Sequence, residues 1–280
     1  MSNLTNYHSH CTYCDGKAPA DDFVKQAIAE GFYSYGVSSH APLPFSTNWT
    51  MKAEDMSSYI AEINVLKAKY DGQIQLYVGL EIDYLDELHN PSMPYFQNLD
   101  LDYRIGSVHL VRDFQDEIAD LDVSSPFFKD MIRDRFENDL VGVIKKYFSQ
   151  KKAMIRLGGF DFVGHIDKIS MNASFCESGV TEQPWYKQEI AELFEEVKKA
   201  NQMIEINTKA FTTKGLLFPN KEHFGLIKEM QIPVLVNSDS HYIEKINDGR
   251  RDALQLLHKA GIKEVMELDK GQWKAREIIL

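Results

Sequence analysis

A His-x-His pair near the N-terminus is the first group of residues able to bind a metal ion. His8 and His10 lie two positions apart, and residues i and i+2 of a strand point to the same side, so both imidazoles can reach one point. Asp15 and Gly16 follow as a turn that can fold a carboxylate back over the end of this strand. A lone His-x-His is a weak signal, so the rest of the chain decides its meaning.

The same arrangement recurs along the chain, because several short apolar segments run into a histidine or a carboxylate. The side chains at these predicted strand ends are His40, Glu81, His109, His165, Asp239 and His241. The carboxyl ends of parallel strands meet on one face of a barrel or sheet, which is where such folds build their sites. Six of the nine histidines are therefore expected to converge with three carboxylates, and this pattern predicts a metal centre.

These motifs, in this order, resemble those of the polymerase and histidinol phosphatase family of metal-dependent phosphoesterases, and most closely its members that act on histidinol phosphate. The matching segments cover nearly the whole chain and are His8-x-His10 with Asp15-Gly16, Ser39-His40-Ala41-Pro42, Gly79-Leu80-Glu81, Gly106-Ser107-Val108-His109, Gly164-His165-Ile166-Asp167 and Asn237-Ser238-Asp239-Ser240-His241. The resemblance implies an α/β fold, namely a distorted (β/α)7 barrel with the metal site at the strand C-termini.

The resemblance also implies a ligand set for two or three divalent ions. The first ion would be bound by His8, His10, Glu81 and Asp239; the second would share Glu81 and add His109 and His165; the third would be bound by Asp15, His40 and His241. Nitrogen and oxygen donors suit zinc, manganese or iron(II) and disfavour a soft thiolate site. The residue types alone do not choose among these metals.

The activity implied by the resemblance is hydrolysis of a small phosphomonoester, with L-histidinol phosphate of histidine biosynthesis as the expected substrate. A hydroxide that bridges two metals would attack phosphorus, and catalytic roles are expected for Glu81, Asp239 and His241, with Asp239 as one possible proton source for the leaving alkoxide. A charge count agrees with a phosphate substrate. Three divalent ions carry about +6 and three carboxylates about −3, which leaves roughly +3 for a phosphate dianion and a hydroxide to neutralise.

Side chains near the metal face are candidates for substrate contacts. Lys209 and Lys214 follow a predicted strand and could hold phosphate as point charges, where the family often uses arginine. Asp83 shares a strand face with a predicted ligand and is either a partner of a metal ligand or a substrate contact. Phe45 and Trp49 lie in a proline-containing loop and either cover a substrate or anchor the loop.

Length and composition predict a single domain over residues 1–280, since 280 residues with 44% hydrophobic side chains can form one large core. The formal charge of −11 argues against a nucleic-acid surface. The N-terminus lacks a signal-peptide pattern and no apolar run approaches a membrane span, so a cytoplasmic protein is expected, of undetermined oligomeric state. Cys11 and Cys14 are expected to fill the metal loop rather than to form a zinc site or redox pair.

Helical periodicity predicts the outer elements of the barrel. Helices are expected over 20–29, 54–70, 127–148, 186–200, 221–230 and 246–260. Residues 111–125 and 168–184 are predicted to be connections, and 262–280 a short strand or turn with a charged tail. His89, His223 and His258 are expected to be exposed.

Three alternatives remain open from the sequence. A phosphoesterase of the same family could act on another phosphomonoester or on nucleotide ends, although the low basicity weighs against a polymer. A metal-dependent amidohydrolase or deaminase also opens with His-x-His on a barrel strand, but such enzymes usually bridge their metals with a modified lysine or use one metal. A metal-binding regulatory protein with a degenerate site is disfavoured, because no ligand position of the pattern is missing.

Overall fold

The computed structural model describes residues 3–280, in which strands and helices alternate along the chain. The strands are β1 (Thr5–Asn6), β2 (Ser34–Val37), β3 (Gln75–Asp83), β4 (Tyr103–Ser107), β5 (Leu110–Arg112), β6 (Ile118–Asp120), β7 (Phe162–Val163), β8 (Met203–Asn207), β9 (Val234–Asn237), β10 (Glu264–Asp269) and β11 (Gln272–Glu277). The α-helices are α1 (Ala20–Ala29), α2 (Met56–Lys69), α3 (Pro94–Gln97), α4 (Ser125–Arg135), α5 (Leu140–Leu157), α6 (Ile169–Cys176), α7 (Pro184–Lys199), α8 (Phe211–Lys214), α9 (Phe224–Met230) and α10 (Arg250–Ala260). Within this described range, no helix is both long and apolar enough to span a bilayer.

Seven parallel strands form a nearly closed barrel in the order β1-β2-β3-β4-β7-β8-β9. The two edge strands, β9 and β1, also approach each other: the Tyr7 amide donates to the Asn237 side-chain oxygen at 2.8 Å. Just beyond the strands, the His10 amide donates to the Ser240 carbonyl at 2.8 Å. The predicted distorted (β/α)7 barrel is therefore confirmed. Because all seven strands are parallel, their carboxyl ends lie at one end of the barrel.

Aromatic side chains fill the barrel interior and dictate where glycine must occur. Tyr103 on β4 points across the barrel, and its hydroxyl donates to the Tyr7 carbonyl at 2.7 Å. A Cβ atom at Gly36 on β2 or at Gly79 on β3 would lie 2.2 Å from the Tyr103 side chain, so neither position has room for a larger residue. The outer helices bury their apolar faces against the other side of the strands.

A hairpin of β10 and β11 covers the amino-terminal end of the barrel. The Ser34 hydroxyl, at the start of β2, donates to the Leu268 carbonyl of β10 at 2.8 Å. On β11, the Trp273 ring stands edge-on to Tyr7, with 5.2 Å between ring centroids, and its indole N–H donates to the Asp161 carboxylate at 2.9 Å. The segment expected to be a short strand or turn with a charged tail is thus a complete hairpin that seals the core.

The prediction of one helix over 127–148 is wrong, because α4 ends at Arg135 and α5 begins at Leu140. Glu137 and Asn138 between them have φ angles of 52° and 66°, which no helix can continue through. Asp139 then caps α5, since its carboxylate accepts from the Gly142 amide at 2.8 Å. Both helices bury their apolar residues in the same core, so the apolar periodicity runs through the break and hides it.

Two predicted connections contain regular structure. Residues 111–125 include most of the β5–β6 hairpin, and residues 168–184 include α6. The expectation that His89, His223 and His258 are exposed is also wrong, because all three are partly buried; the His89 ring packs edge-on against Phe96 with 5.6 Å between centroids.

Replacing Trp273 by alanine should lower the free energy of unfolding by about 2–4 kcal/mol, because the indole packs against the aromatic interior of the barrel. Urea denaturation of the two proteins would measure this difference. The matched control is Gln272→Ala, an exposed residue on the same strand, for which a change below about 0.5 kcal/mol is expected. Equal effects of the two substitutions would contradict a sealing role for the hairpin.

Candidate metal centre

The first group of predicted ligands meets at the carboxyl ends of β1, β3 and β9. His8 Nε2 lies 3.1 Å from Glu81 Oε2 and 3.8 Å from Asp239 Oδ1. His10 Nε2 lies 3.6 Å from the same Glu81 oxygen and 3.2 Å from the same Asp239 oxygen. A tetrahedron with metal–ligand bonds of about 2.0 Å has edges of about 3.3 Å, so these four distances are close to those between ligands of one zinc ion.

The second group uses the other oxygen of Glu81. His165 Nε2 lies 2.8 Å and His109 Nε2 3.6 Å from Glu81 Oε1, and the two imidazole nitrogens lie 3.2 Å apart. These atoms have the same edge lengths as the first group. One buried carboxylate therefore faces two sets of imidazoles, one with each oxygen, which is the geometry of a bridging ligand.

The third group lies nearer to solvent. Asp15 Oδ1 is 3.2 Å from His241 Nε2 and 3.9 Å from His40 Nε2, and atoms of these three residues and His10 all lie within 4.8 Å of one another. His40 also places Nδ1 at 2.9 Å from Glu81 Oε2, so it stands between this group and the first. All the side chains predicted as ligands are thus brought together at one end of the barrel.

Many polar atoms at these points have no hydrogen-bond partner within residues 3–280. These buried atoms are His8 Nε2, His10 Nε2, Asp15 Oδ1, His40 Nδ1 and Glu81 Oε2. A buried polar atom without a partner costs free energy, and atoms with lone pairs that converge on common points are suited to a shared cation. The donor set therefore fits divalent metal ions.

Two carboxylates behind the centre orient the imidazoles: Asp83, for which the sequence left this role and a substrate contact open, and Glu205. Glu205 on β8 accepts from His8 Nδ1 at 2.7 Å, which directs His8 Nε2 toward Glu81. Asp83 lies 3.0 Å from His109 Nδ1 through both oxygens and does the same for His109. Carboxylates commonly orient metal-binding histidines in this way.

Glu205 was missed by the sequence reasoning, although a signal was present. It is a charged residue inside the apolar strand Met203–Asn207 and is fully buried. A buried acid is almost always paired, so an acidic residue at an inward position of a central strand points to a partner in the site. Besides His8, the Glu205 carboxylate accepts from the His165 amide at 2.9 Å and from the Asn237 side chain at 3.0 Å.

The electrostatic environment keeps Glu81 ionised and differs among the imidazoles: burial lowers the pKa of His165, whereas the carboxylates of Glu205 and Glu81 outweigh burial and raise the pKa of His8. Burial alone would raise the pKa of Glu81, but the surrounding imidazoles, led by His8 and His40, outweigh it and hold that pKa well below the usual carboxyl value. Burial and the nearby Lys168 ammonium lower the pKa of His165 to about 3. At neutral pH, Glu81 is therefore negative and His165 is neutral, which are the forms that bind a metal.

Two of the strand-end residues have unusual backbone conformations. His165 has a φ of 22° and Asp239 a φ of 48°, and neither is a glycine. Such conformations cost of order 1–3 kcal/mol and persist only where the surrounding structure imposes them. Here they turn the backbone sharply at the end of each strand and direct the side chains of His165 and Asp239 into the metal centre.

An open pocket adjoins the third group of ligands. It is lined by Asp15, His40, Trp49, His109, Asp120, Asp122, Lys209 and His241. The Trp49 ring stands edge-on to the rings of His40 and His109, with 4.8 and 5.5 Å between centroids. Lys209 Nζ lies 3.1 Å from Asp239 Oδ1, between the pocket and the first group.

The other predicted substrate residues do not line this pocket. Asp83 is buried behind His109, and its carboxylate is engaged there. Lys214 is exposed, with Nζ 3.3 Å from Met171 Sδ, and Phe45 is 36% exposed on its loop. Asp120 and Asp122, which do line the pocket, were not singled out from the sequence because they belong to a segment interpreted as an acidic connection.

The family described as PHP domain matches residues 6–209, which is well over half of the chain. The chain therefore belongs to the PHP family. A histidinol-phosphatase of Bacillus subtilis is 24% identical over 251 residues, covering 84% of this chain and 92% of that protein. The DNA polymerase/3'-5' exonuclease PolX of the same species is 21% identical over 243 residues, covering 86% of this chain but 35% of that protein.

The crystal structure of a Lactococcus lactis histidinol phosphate phosphatase has the same fold. Its TM-score is 0.73 at 18% identity, covering 98% of this chain and 100% of that one. The PHP-family barrel predicted from the motifs is thereby confirmed.

Replacing Glu205 by glutamine should weaken the binding of metal by about 10- to 100-fold, because the amide is a poorer acceptor for His8 Nδ1–H. Metal retained after dialysis against a graded series of chelator concentrations would measure the change. Glu195→Gln, an exposed position on α7, is the matched control and should retain metal like the parent protein. Unchanged retention in the Glu205 variant would contradict its orienting role.

Proposed function

We propose that this protein is a metal-dependent phosphomonoesterase that hydrolyses L-histidinol phosphate to L-histidinol and phosphate. The observation that carries the proposal is the convergence of nitrogen and oxygen donors on both oxygens of the buried Glu81, beside a pocket that contains the Lys209 ammonium group. The Bacillus subtilis relative is a histidinol-phosphatase, and the Lactococcus lactis structure contains zinc, L-histidinol and phosphate. This activity would place the protein in histidine biosynthesis.

We infer a centre of two or three divalent ions. The first would be held by His8, His10, Glu81 and Asp239, the second by Glu81, His109 and His165, and the third by Asp15, His40 and His241. The oxygen and nitrogen donors support zinc, with manganese or iron as the other candidates.

When bound there, divalent ions would supply Lewis-acid stabilisation of the phosphoryl group and favour ionisation of water. The residues of the chain provide the remaining functions. Lys209 can donate from Nζ to a phosphoryl oxygen, since its ammonium lies at the boundary between the pocket and the ligand cluster. Glu81 faces the first group of imidazoles with one carboxylate oxygen and the second group with the other.

Asp239 is the candidate proton-transfer residue closest to Lys209. Burial alone would raise its pKa, but the Lys209 ammonium and the His8 imidazole lower that pKa well below its usual value. An ionised carboxylate accepts a proton, so this environment favours Asp239 as a proton acceptor over the proton donor that the sequence suggested as one possibility. Burial and the charge of Lys209 also lower the pKa of His241, which keeps its imidazole neutral at the pocket wall.

On protein whose metals have been counted, kcat/KM for L-histidinol phosphate should exceed that for other phosphomonoesters, nucleotides included, by about 10-fold or more, because pocket residues contact the alcohol part. Phosphate release across a panel of esters is the measurement. Chelation should abolish activity and lower the melting temperature, and added zinc or manganese should restore both. Preference for another ester would discard histidinol phosphate but keep the phosphatase chemistry. Full metal loading without any hydrolysis would contradict both.

The two lysines predicted as phosphate ligands provide a matched pair of variants. Lys209→Met should lower kcat/KM for every phosphomonoester by about 100-fold, because a donor beside the reacting group is lost. Lys214→Met should stay within about twofold of the parent protein, since Lys214 lies outside the pocket. Steady-state kinetics with para-nitrophenyl phosphate would measure both. Equal kinetics for the two variants would remove Lys209 from the phosphate site.

A further inference from the structure

The β5–β6 hairpin carries acidic side chains back to the pocket. Strand β5 begins directly after His109, and the hairpin returns so that Asp120 pairs with Leu110 and the Leu121 amide donates to the His109 carbonyl at 2.8 Å. Alternate residues of an extended chain point to opposite sides. Leu121 is buried in the core, and Asp120 and Asp122 on either side of it line the pocket.

The two carboxylates differ in their partners. Asp122 forms an ion pair with Lys168, with 2.5 Å between Oδ2 and Nζ, so its charge is already balanced. Within residues 3–280, Asp120 pairs with no lysine, arginine or histidine, and its carboxylate accepts only the Asp122 amide, at 2.8 Å. Burial raises the pKa of Asp120, as expected for a carboxylate without a compensating cation.

Lys209 is the lysine that lines the pocket, and it is paired with Asp239 on the side of the metal ligands, where the phosphate would bind. A cationic group on the alcohol part of a substrate would be repelled from that side. Asp15 belongs to the third ligand group, so Asp120 is the pocket carboxylate that remains available to such a group.

We propose that Asp120 binds an ammonium group on the alcohol part of the substrate, in the pocket that Trp49 also lines, and thereby selects amino-alcohol phosphates over phosphomonoesters whose alcohol part carries no positive charge. This assignment rests on the proposed phosphatase function and adds the residue that would recognise the amine of the substrate. It replaces Asp83 as the acidic substrate contact, because the Asp83 carboxylate is engaged by His109. Asp120 is a specificity residue here, and it takes no part in the reaction at phosphorus.

The test compares Asp120→Asn with the parent protein on three esters: L-histidinol phosphate, the phosphate ester of the same alcohol without its amine, and para-nitrophenyl phosphate. Asparagine keeps the size of the side chain and removes its charge. We expect kcat/KM for L-histidinol phosphate to fall by about 10- to 100-fold, mainly through KM, because a charge-assisted contact is lost. The two esters without an amine should change by less than about twofold.

Asp116→Asn is the matched control, since Asp116 lies at the exposed tip of the same hairpin and its side chain is 84% exposed. It should leave all three rates unchanged. Binding of L-histidinol itself, measured by calorimetry on the metal-loaded protein, should weaken in the Asp120 variant and not in the Asp116 variant. This readout does not depend on turnover.

The outcomes separate the two proposals. Equal losses on all three esters in the Asp120 variant, or unchanged histidinol binding, would overturn the amine subsite while leaving a phosphatase. The proposal would also be overturned if the parent protein had the same kcat/KM for the ester without the amine as for L-histidinol phosphate. If the metal-loaded parent protein hydrolyses none of the three esters, the proposed function itself fails.

Discussion

The Glu81 carboxylate is the point on which the rest of the structure depends. It is fully buried at the end of β3, and a buried anion is costly unless it is paired. Both of its oxygens face imidazoles, at 3.1 Å from His8 and 2.8 Å from His165. These residues come from different barrel strands, so the carboxylate is stable only when the barrel is closed and its strands are in register.

Closure of the barrel at the carboxyl ends of its strands depends on side-chain packing in the interior and at the opposite end. Tyr103 crosses the interior to the Tyr7 carbonyl, next to His8, and needs the glycines of β2 and β3 to pass. The terminal hairpin seals this interior with Trp273. Packing at one end thus fixes the strand that carries the first two histidines at the other, which links the stability of the core to the geometry of the site.

The residues around the metal centre form two groups: those that orient the ligands and those that line the pocket. Glu205 and Asp83 lie behind the imidazoles and direct their nitrogens inward. In front of the imidazoles, Lys209 lies beside the metal ligands, and Asp120 and Trp49 form other parts of the pocket wall. A substrate with an anionic phosphate and a cationic alcohol would find groups of opposite charge for both ends in this lining, although the protein as a whole carries a net charge of −11.

The sequence by itself determined the set of candidate ligands, because most of them follow a short apolar segment and parallel strands must present their carboxyl ends together, and the resemblance of these motifs to the family implied the barrel. Helix boundaries such as that of α1 were also predictable from local signals. The break between α4 and α5 was not, since both helices share one apolar core and the periodicity continues across it.

Only the tertiary structure decided which polar residues support the site and which face the substrate. Glu205 becomes the partner of His8 through a contact that spans 197 residues of sequence, and no local pattern encodes such a distance. Asp83 faces His109 rather than the pocket, and Lys209 rather than Lys214 lies beside the ligands, because loop and side-chain directions are set by packing. Asp120 reaches the pocket only because the β5–β6 hairpin folds back onto His109.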